Sequence, residues 1–307
     1  MLGRQRYSTE PQSEDQDIAI LMIVSYIRPK LDRGRRTMSV ARLFAGVIVL
    51  ALFAPVFFKL AVAQTQQQLD WCDHKNGATP DLLIEGCTAV IQAGRYTGKG
   101  LAFAFNNRGI AYQNKGQYDR AVQDYDQAIA LDPNYAQAFV NRGFTYAIKA
   151  QHDRALEDYD HAIKLNPHSA EAFYDRSNTY VAKGQYDRAI QGYDQAIKLN
   201  PNFAGAYNNR GVAYVHKEQY ERAIQDYDQA IKLNPDFASA FNNRGFAYSR
   251  NRQYGRAIQD YDRAIKLDPN FAKAFFNRSL AKREKGDKAG AEADLATARR
   301  IDPNIGR

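Results

Sequence analysis

Proline recurs at positions 133, 167, 201, 235, 269 and 303, a spacing of 34 residues each time. A fixed period of this length leaves few architectures open. One unit is too short to bury its own apolar face, so copies must stack and the core must lie between neighbours. Counting each unit so that proline is its thirty-second residue gives six, at 102–135, 136–169, 170–203, 204–237, 238–271 and 272–305.

Other positions recur in phase. Position 4 is aromatic (Phe105, Phe139, Phe173, Tyr207, Phe241, Phe275) and position 8 is small (Gly109, Gly143, Ser177, Gly211, Gly245, Ser279). Position 11 is Tyr112, Tyr146, Tyr180, Tyr214 and Tyr248, then Lys282; position 24 is Tyr125, Tyr159, Tyr193, Tyr227 and Tyr261, then Leu295. Positions 20 and 27 are alanine in every unit, from Ala121 to Ala291 and from Ala128 to Ala298. At about 100° per residue, positions 4, 7, 8 and 11 share one face of a helix. Large side chains beside tiny ones give interlocking packing at short interaxial distance. Between the two helices of a unit, Lys115–Tyr118 and Lys183–Tyr186 read as turns. At the junction between units, Asp-Pro or Asn-Pro is expected to cap the next helix with proline at its first position.

These residues resemble the tetratricopeptide repeat, with its large residue at 4, small 8, Tyr 11, Ala 20, aromatic 24, Ala 27 and Pro 32. The resemblance covers residues 102–305, and the wording of the units looks like the bacterial branch of the family. It implies an all-α fold: a right-handed α-solenoid of six 34-residue helix-turn-helix repeats, with a partial helical repeat at 64–101 ahead of them. The last unit, with Lys282, Leu295 and a charge-rich final helix, is expected to cap the stack. The family function this implies is protein–protein interaction, with no cofactor and no catalysis.

Position 7 departs from the family pattern. Many members carry leucine there; this chain carries Arg108, Arg142, Arg176, Arg210, Arg244 and Arg278. On a packing face a guanidinium needs a partner. The aspartates at position 23 (Asp124, Asp158, Asp226, Asp260 and Asp294) are the candidates for structural ion pairs, and Gly192 takes that place in the third unit. An anion-binding arginine ladder is the competing reading.

Positions 2, 6, 9 and 13 fall on the opposite face of the first helix, which lines the concave groove in tetratricopeptide repeats. Position 6 is Asn107, Asn141, Asp175, Asn209, Asn243 and Asn277, flanked at position 5 by Asn106, Asn208 and Asn242. Asparagine is a mediocre helix former, so its recurrence on a solvent face calls for a reason. One reason is contact with the backbone of an extended peptide, since each amide offers donors and an acceptor; the row resembles the asparagine ladder of O-linked N-acetylglucosamine transferases. The other is local bonding within the helix layer, or simple inheritance through duplication. Relatives that clamp a C-terminal carboxylate use Lys at position 5, which is absent here.

Residues 43–58 form an uncharged apolar run preceded by Arg33, Arg35, Arg36 and Arg42 and followed by Ala61-Val62-Ala63. This is the pattern of a secretory signal peptide cleaved after Ala63, giving a periplasmic or secreted protein. The same 43–63 segment is long enough to span a bilayer, giving a single-pass inner-membrane protein with its repeats on the periplasmic side. Met38 stands where a signal peptide of 38–63 would begin, and residues 1–37 are expected to be a disordered or untranslated extension. Cys72 and Cys87 follow the segment; an even cysteine count on an exported chain points to a disulfide, with separate thiols as the alternative. With His74 they make only three ligands, one short of a structural zinc site.

The formal charge of +8 divides evenly between residues 1–63 and 64–307. The repeats therefore carry only a mild basic bias, which argues against nucleic acid as a partner. The five histidines lack metal-ligand spacing, and Gly94–Gly100 departs from a phosphate loop in spacing and context. The chain reads as a scaffold for another polypeptide. A self-assembling structural component or a non-catalytic accessory subunit of an envelope complex is the alternative.

Overall fold

The structure is a computed structural model and describes residues 66–73 and 77–306, which belong to one compact unit, Thr65–Arg307. The expectations for 1–37, for the apolar segment 43–63 and for cleavage after Ala63 fall outside the described residues. Among those residues no helix is long and apolar enough to cross a membrane.

The described residues are helical throughout, joined by short turns. Residues 66–72 are helical and are followed by α1 (Pro80–Gln92). Six helix pairs come next: α2 (Gly98–Asn114) with α3 (Tyr118–Leu131), α4 (Ala136–Ile148) with α5 (His152–Leu165), and α6 (Ala170–Ala182) with α7 (Tyr186–Leu199). Then come α8 (Ala204–His216) with α9 (Tyr220–Leu233), α10 (Ala238–Arg250) with α11 (Tyr254–Leu267), and α12 (Ala272–Glu284) with α13 (Lys288–Ile301). Each helix packs on its neighbours in sequence, and the first helices of adjacent pairs also touch one another, α2 with α4 and so on to α10 with α12.

The close packing has a specific cause. The tyrosines at position 24 are fully buried, and in the four units with glycine at position 8 the ring packs directly on that glycine. A Cβ on Gly109 would sit 2.6 Å from the Tyr125 ring, and one on Gly211 2.7 Å from the Tyr227 ring. Two units carry serine at position 8, each with a compensating change. In the sixth, Leu295 replaces the tyrosine. In the third, Gly192 replaces aspartate, and a Cβ there would meet the Ser177 hydroxyl at 2.1 Å. The alanines at 20 and 27 are buried in all six pairs.

The junctions correct one expectation. Proline is not the first residue of the next helix; it sits in a turn three residues earlier. Asp132 ends α3 in an extended conformation, as a residue before proline must, and its carboxylate accepts from the Asn134 amide at 3.2 Å. The same turn follows α5, α7, α9, α11 and α13. Among the first helices of the repeats, only α6 has a side-chain cap, Ser169 accepting from the Ala172 amide. Within each pair the turn needs one left-handed residue: Gly116, Ala150, Gly184, Glu218, Arg252 and Gly286 all have positive φ.

At the N-terminal end, Cys72 and Cys87 are joined by a disulfide. The 66–72 helix presses on α1 at Gly86, where a Cβ would lie 2.6 Å from the Gln68 carbonyl. Cys72, Cys87, Val90 and Ala104 form a small core that ties these turns to α2. At the other end, Lys282 takes the place of a position-11 tyrosine and pairs with Asp294 at 2.9 Å.

Candidate interaction face

The arginines at position 7 lie between helices. Arg142, Arg210, Arg244 and Arg278 each grip the position-23 aspartate of their own repeat with two bonds. For Arg142, Nε meets Asp158 Oδ2 at 2.9 Å and Nη2 meets Oδ1 at 2.6 Å; the pairs Arg210–Asp226, Arg244–Asp260 and Arg278–Asp294 repeat this geometry. Arg108 holds Asp124 in the same way. Nη1 reaches back to position 25 of the preceding repeat, as in Arg210–Asp194 at 2.6 Å and Arg244–Asp228 at 2.6 Å; Arg108, with no full repeat before it, reaches Thr88. Each guanidinium therefore ties two second helices together while lying over the aromatic ring at position 4. Burial by itself would lower the pKa of Arg142, Arg210 and Arg244, but the paired carboxylates outweigh it and the net shift is upward. These cations are neutralised inside the layer, which leaves no open arginine ladder for an anion.

Arg176 is the exception. It keeps Asp160 at 2.5 Å, but with Gly192 in place of an aspartate its Nε is buried without a hydrogen-bond partner. The position-25 aspartates were missed from the sequence, although their signal was present. Asp126, Asp160, Asp194, Asp228 and Asp262 recur every 34 residues, and the sixth repeat has Ala296 in that place.

The asparagines at position 6 also turn inward, contrary to the reading that they present themselves to a guest chain. Asn141 Nδ2 donates to Asn106 Oδ1 at 2.8 Å, Asn243 Nδ2 to Asn208 Oδ1 at 3.1 Å, and Asn277 Nδ2 to Asn242 Oδ1 at 3.0 Å. Asn106, Asn208 and Asn242 in turn donate to Asn107, Asn209 and Asn243 beside them. The result is an amide relay crossing from one first helix to the next. Its first member, Asn107, donates to the Cys72 carbonyl at 2.8 Å. Asn209 donates to the Tyr174 hydroxyl at 2.9 Å and to Asn178 Oδ1 at 2.8 Å. Asn106, Asn107, Asn208, Asn242 and Asn277 are buried. The physical reason is the close approach of adjacent first helices, which brings position 6 of one repeat onto position 5 of the repeat before it.

The relay breaks once, between the second and third repeats. There position 5 is Val140, buried and without an acceptor, and position 6 is Asp175, without an amide donor. Burial first, and the Glu171 charge second, push the Asp175 carboxyl up to about 7.

The first helices are open to solvent at positions 2, 9 and 13. Phe103, Phe144, Ile148, Phe246 and Leu280 are each 38% to 44% exposed. Position 9 is Ile110, Phe144, Asn178, Val212, Phe246 and Leu280, apolar in every repeat but the third. Among the described residues no group of three or more His, Cys, Asp or Glu side chains is placed to hold a metal.

Family profiles described as tetratricopeptide repeat match residues 102–135 and 238–271 and residues 124–157 and 158–191. A profile described as TPR repeat matches 177–218 and 213–251. Together they span 102–271, more than half of the chain. Among curated proteins no sequence match is found. Among solved structures the chain is similar to a tetratricopeptide repeat protein from Parabacteroides merdae, with TM-score 0.62 and 19% identity over 78% of this chain and 95% of that one. It is also similar to a chain of the APC/C hetero-tetramer Cut9–Hcn1, with TM-score 0.62 and 20% identity over 80% of this chain and half of that one. A third similar structure is pilF of Pseudomonas aeruginosa, with TM-score 0.60 and 18% identity over 66% of this chain and 92% of that one. At these identities the likeness concerns the fold alone.

Proposed function

Because the chain belongs to the tetratricopeptide repeat family, whose fold serves as a protein–protein interaction scaffold, we propose that it binds a segment of another polypeptide along the open face of its first helices. The face acts by binding rather than by catalysis. The observation that carries this reading is a set of exposed apolar side chains on this face: Phe144, Phe246 and Leu280 at position 9, Phe103 at position 2 and Ile148 at position 13. Isolated apolar side chains on a surface need no explanation, but several gathered on one face do. Adjacent packed helices lie roughly 8–10 Å apart, and an extended strand advances about 3.3 Å per residue. About every third residue of a guest strand would thus meet one member of the row. The amide relay beneath supports this face by fixing the first helices to each other.

The repeats are proposed to work on the exported side of a membrane. The basic-then-apolar pattern ending at Ala63 supports this, as does the Cys72–Cys87 disulfide, a bond that persists in oxidising compartments. Protease added to intact spheroplasts would digest the repeats under this reading; complete protection until lysis would refute it.

The binding reading is tested by placing a photo-crosslinking amino acid at Phe144 or Phe246 in the full chain, with Gln123 on the exposed side of α3 as the control. Cross-links to a partner are expected from the first two sites only. Equal yields from all three would remove the case for this face.

A further inference from the structure

We propose that the break in the amide relay is where the guest polypeptide is read: Asp175 and Glu171 receive a lysine or arginine side chain whose aliphatic stem lies on Phe144. This rests on the open face being the binding face. The two acids stand one turn apart on α6, so they share a side of the helix. Neither forms an ion pair among the described residues. Glu171 is exposed and Asp175 half-buried.

Asp175 differs in kind from its counterparts. In the other five repeats position 6 is an asparagine whose amide donates to a neighbouring carbonyl or hydroxyl. Here Val140 offers nothing to donate to, and no described group donates to the Asp175 carboxylate. A half-buried carboxylate without a donor or a cation is unfavourable, and an arriving ammonium or guanidinium would remove that penalty. The elevated carboxyl pKa is the same fact seen from the proton's side.

A second observation points to the same place. Tyr159 is fully buried, and its hydroxyl has no hydrogen-bond partner. The equivalent Tyr125 reaches Gln113 and Tyr193 reaches Asn178. Among the described residues Tyr227 and Tyr261 make no such bond either, but of these tyrosines only Tyr159 has an oxygen both unpartnered and fully shielded from solvent. The residue matching Gln113 in the second repeat is Ala147. The Tyr159 hydroxyl faces α6, and after burial itself the Asp175 charge is the largest influence raising its pKa. A buried donor without a partner and a carboxylate without a donor thus meet at one junction. The row above them also changes character, from exposed Phe144 to Asn178, the one polar residue at position 9. An apolar platform ending in carboxylates matches a long side chain with a cationic tip.

The test uses two fluorescent peptides of roughly 15 residues, a length set by the span of the row. Each carries leucine at every third position, and they differ only in a central Lys or Gln. Binding of both to the full chain is measured for the wild type, Asp175→Asn, Glu171→Gln and the double variant Phe144→Glu with Phe246→Glu. The Lys peptide is expected to bind the wild type roughly tenfold more tightly, as a charge-assisted pair predicts. Asp175→Asn should remove that preference with the Gln peptide unchanged, and Glu171→Gln, at an exposed position, should reduce it without affecting the fold. Equal binding of the two peptides by the wild type, or a preference that survives Asp175→Asn, overturns the inference alone, provided the Phe144→Glu and Phe246→Glu variant loses both peptides. Failure of the wild type to bind either peptide overturns the inference and the binding face together.

Discussion

Asn243 donates its side-chain amide to the Asn208 side-chain carbonyl at 3.1 Å, across the seam between two first helices. The bond makes a polar contact part of the stack, and it decides what these asparagines do. Asn208→Ala leaves the Asn243 donor without its partner, and Asn243→Ala strands a buried Asn208 carbonyl. Each is expected to cost about 1–2 kcal/mol in chemical unfolding, with a coupling of about 1 kcal/mol in a double-mutant cycle. Two additive losses would contradict the relay.

The arginine layer predicts an asymmetry between repeats. Asp260→Ala leaves Arg244 half-buried beside only Asp228 and is expected to cost about 3 kcal/mol. Arg176 already lacks its position-23 partner, so Arg176→Leu should cost at least about 1 kcal/mol less than Arg244→Leu, because fewer hydrogen bonds are lost. Urea denaturation of both leucine variants checks this, and equal losses would show that the position-23 bonds contribute little.

Asp175 makes stability depend on pH in a stated direction. Its carboxyl is pushed up to about 7 in the folded chain, whereas an unfolded aspartate titrates near 3.9. Between these values the folded state holds a proton that the unfolded state has released. Stability from this group is therefore full at acid pH, falls as pH rises toward about 7, and is flat above it. Asp175→Asn should raise stability by about 1–4 kcal/mol at about pH 8 and leave it unchanged at about pH 4. A gain of the same size at both pH values would assign the effect to something other than titration.

The turn between paired helices requires positive φ, yet Ala150, Glu218 and Arg252 occupy it in three repeats. A side chain there carries a steric penalty that glycine avoids. Glycine at any of the three is expected to raise stability by up to about 1 kcal/mol after its greater unfolded-state entropy is counted. Gly184→Ala should lower it by a similar amount.

The stack itself was readable from the sequence, because a 34-residue period leaves few architectures open and the residues at 4, 8, 11, 20, 24, 27 and 32 resemble the tetratricopeptide repeat; Tyr227 over Gly211 shows why the small residue recurs. The partners of the arginines were half readable: Asp226 lies in the same repeat as Arg210, but Asp194 lies in the repeat before and enters only once the stacking offset is known. The asparagines misled for a related reason. Helical angles place Asn243 on the outer face, and an angle count within one helix says nothing of a neighbour close enough to accept its amide. Pro133 misled because an extended residue before proline also suits a turn after a helix. The recurrence of apolar residues at position 9 was on the sequence, interrupted at Asn178, but only exposure separates a surface phenylalanine such as Phe246 from one in the core such as Phe241.

The division of labour between the relay and the row is tested most directly by comparing two double variants of the full chain, one with Phe144→Glu and Phe246→Glu, the other with Asn209→Ala and Asn243→Ala. Partner cross-linking from a photo-crosslinking amino acid placed at Leu280, another exposed member of position 9, and thermal unfolding are measured on both. The glutamate pair should abolish cross-linking with little change in unfolding temperature, while the alanine pair should lower the unfolding temperature and still cross-link below it. Cross-linking lost in the alanine pair with its stability intact, and kept in the glutamate pair, would mean that the asparagines hold the guest and that the apolar row does not.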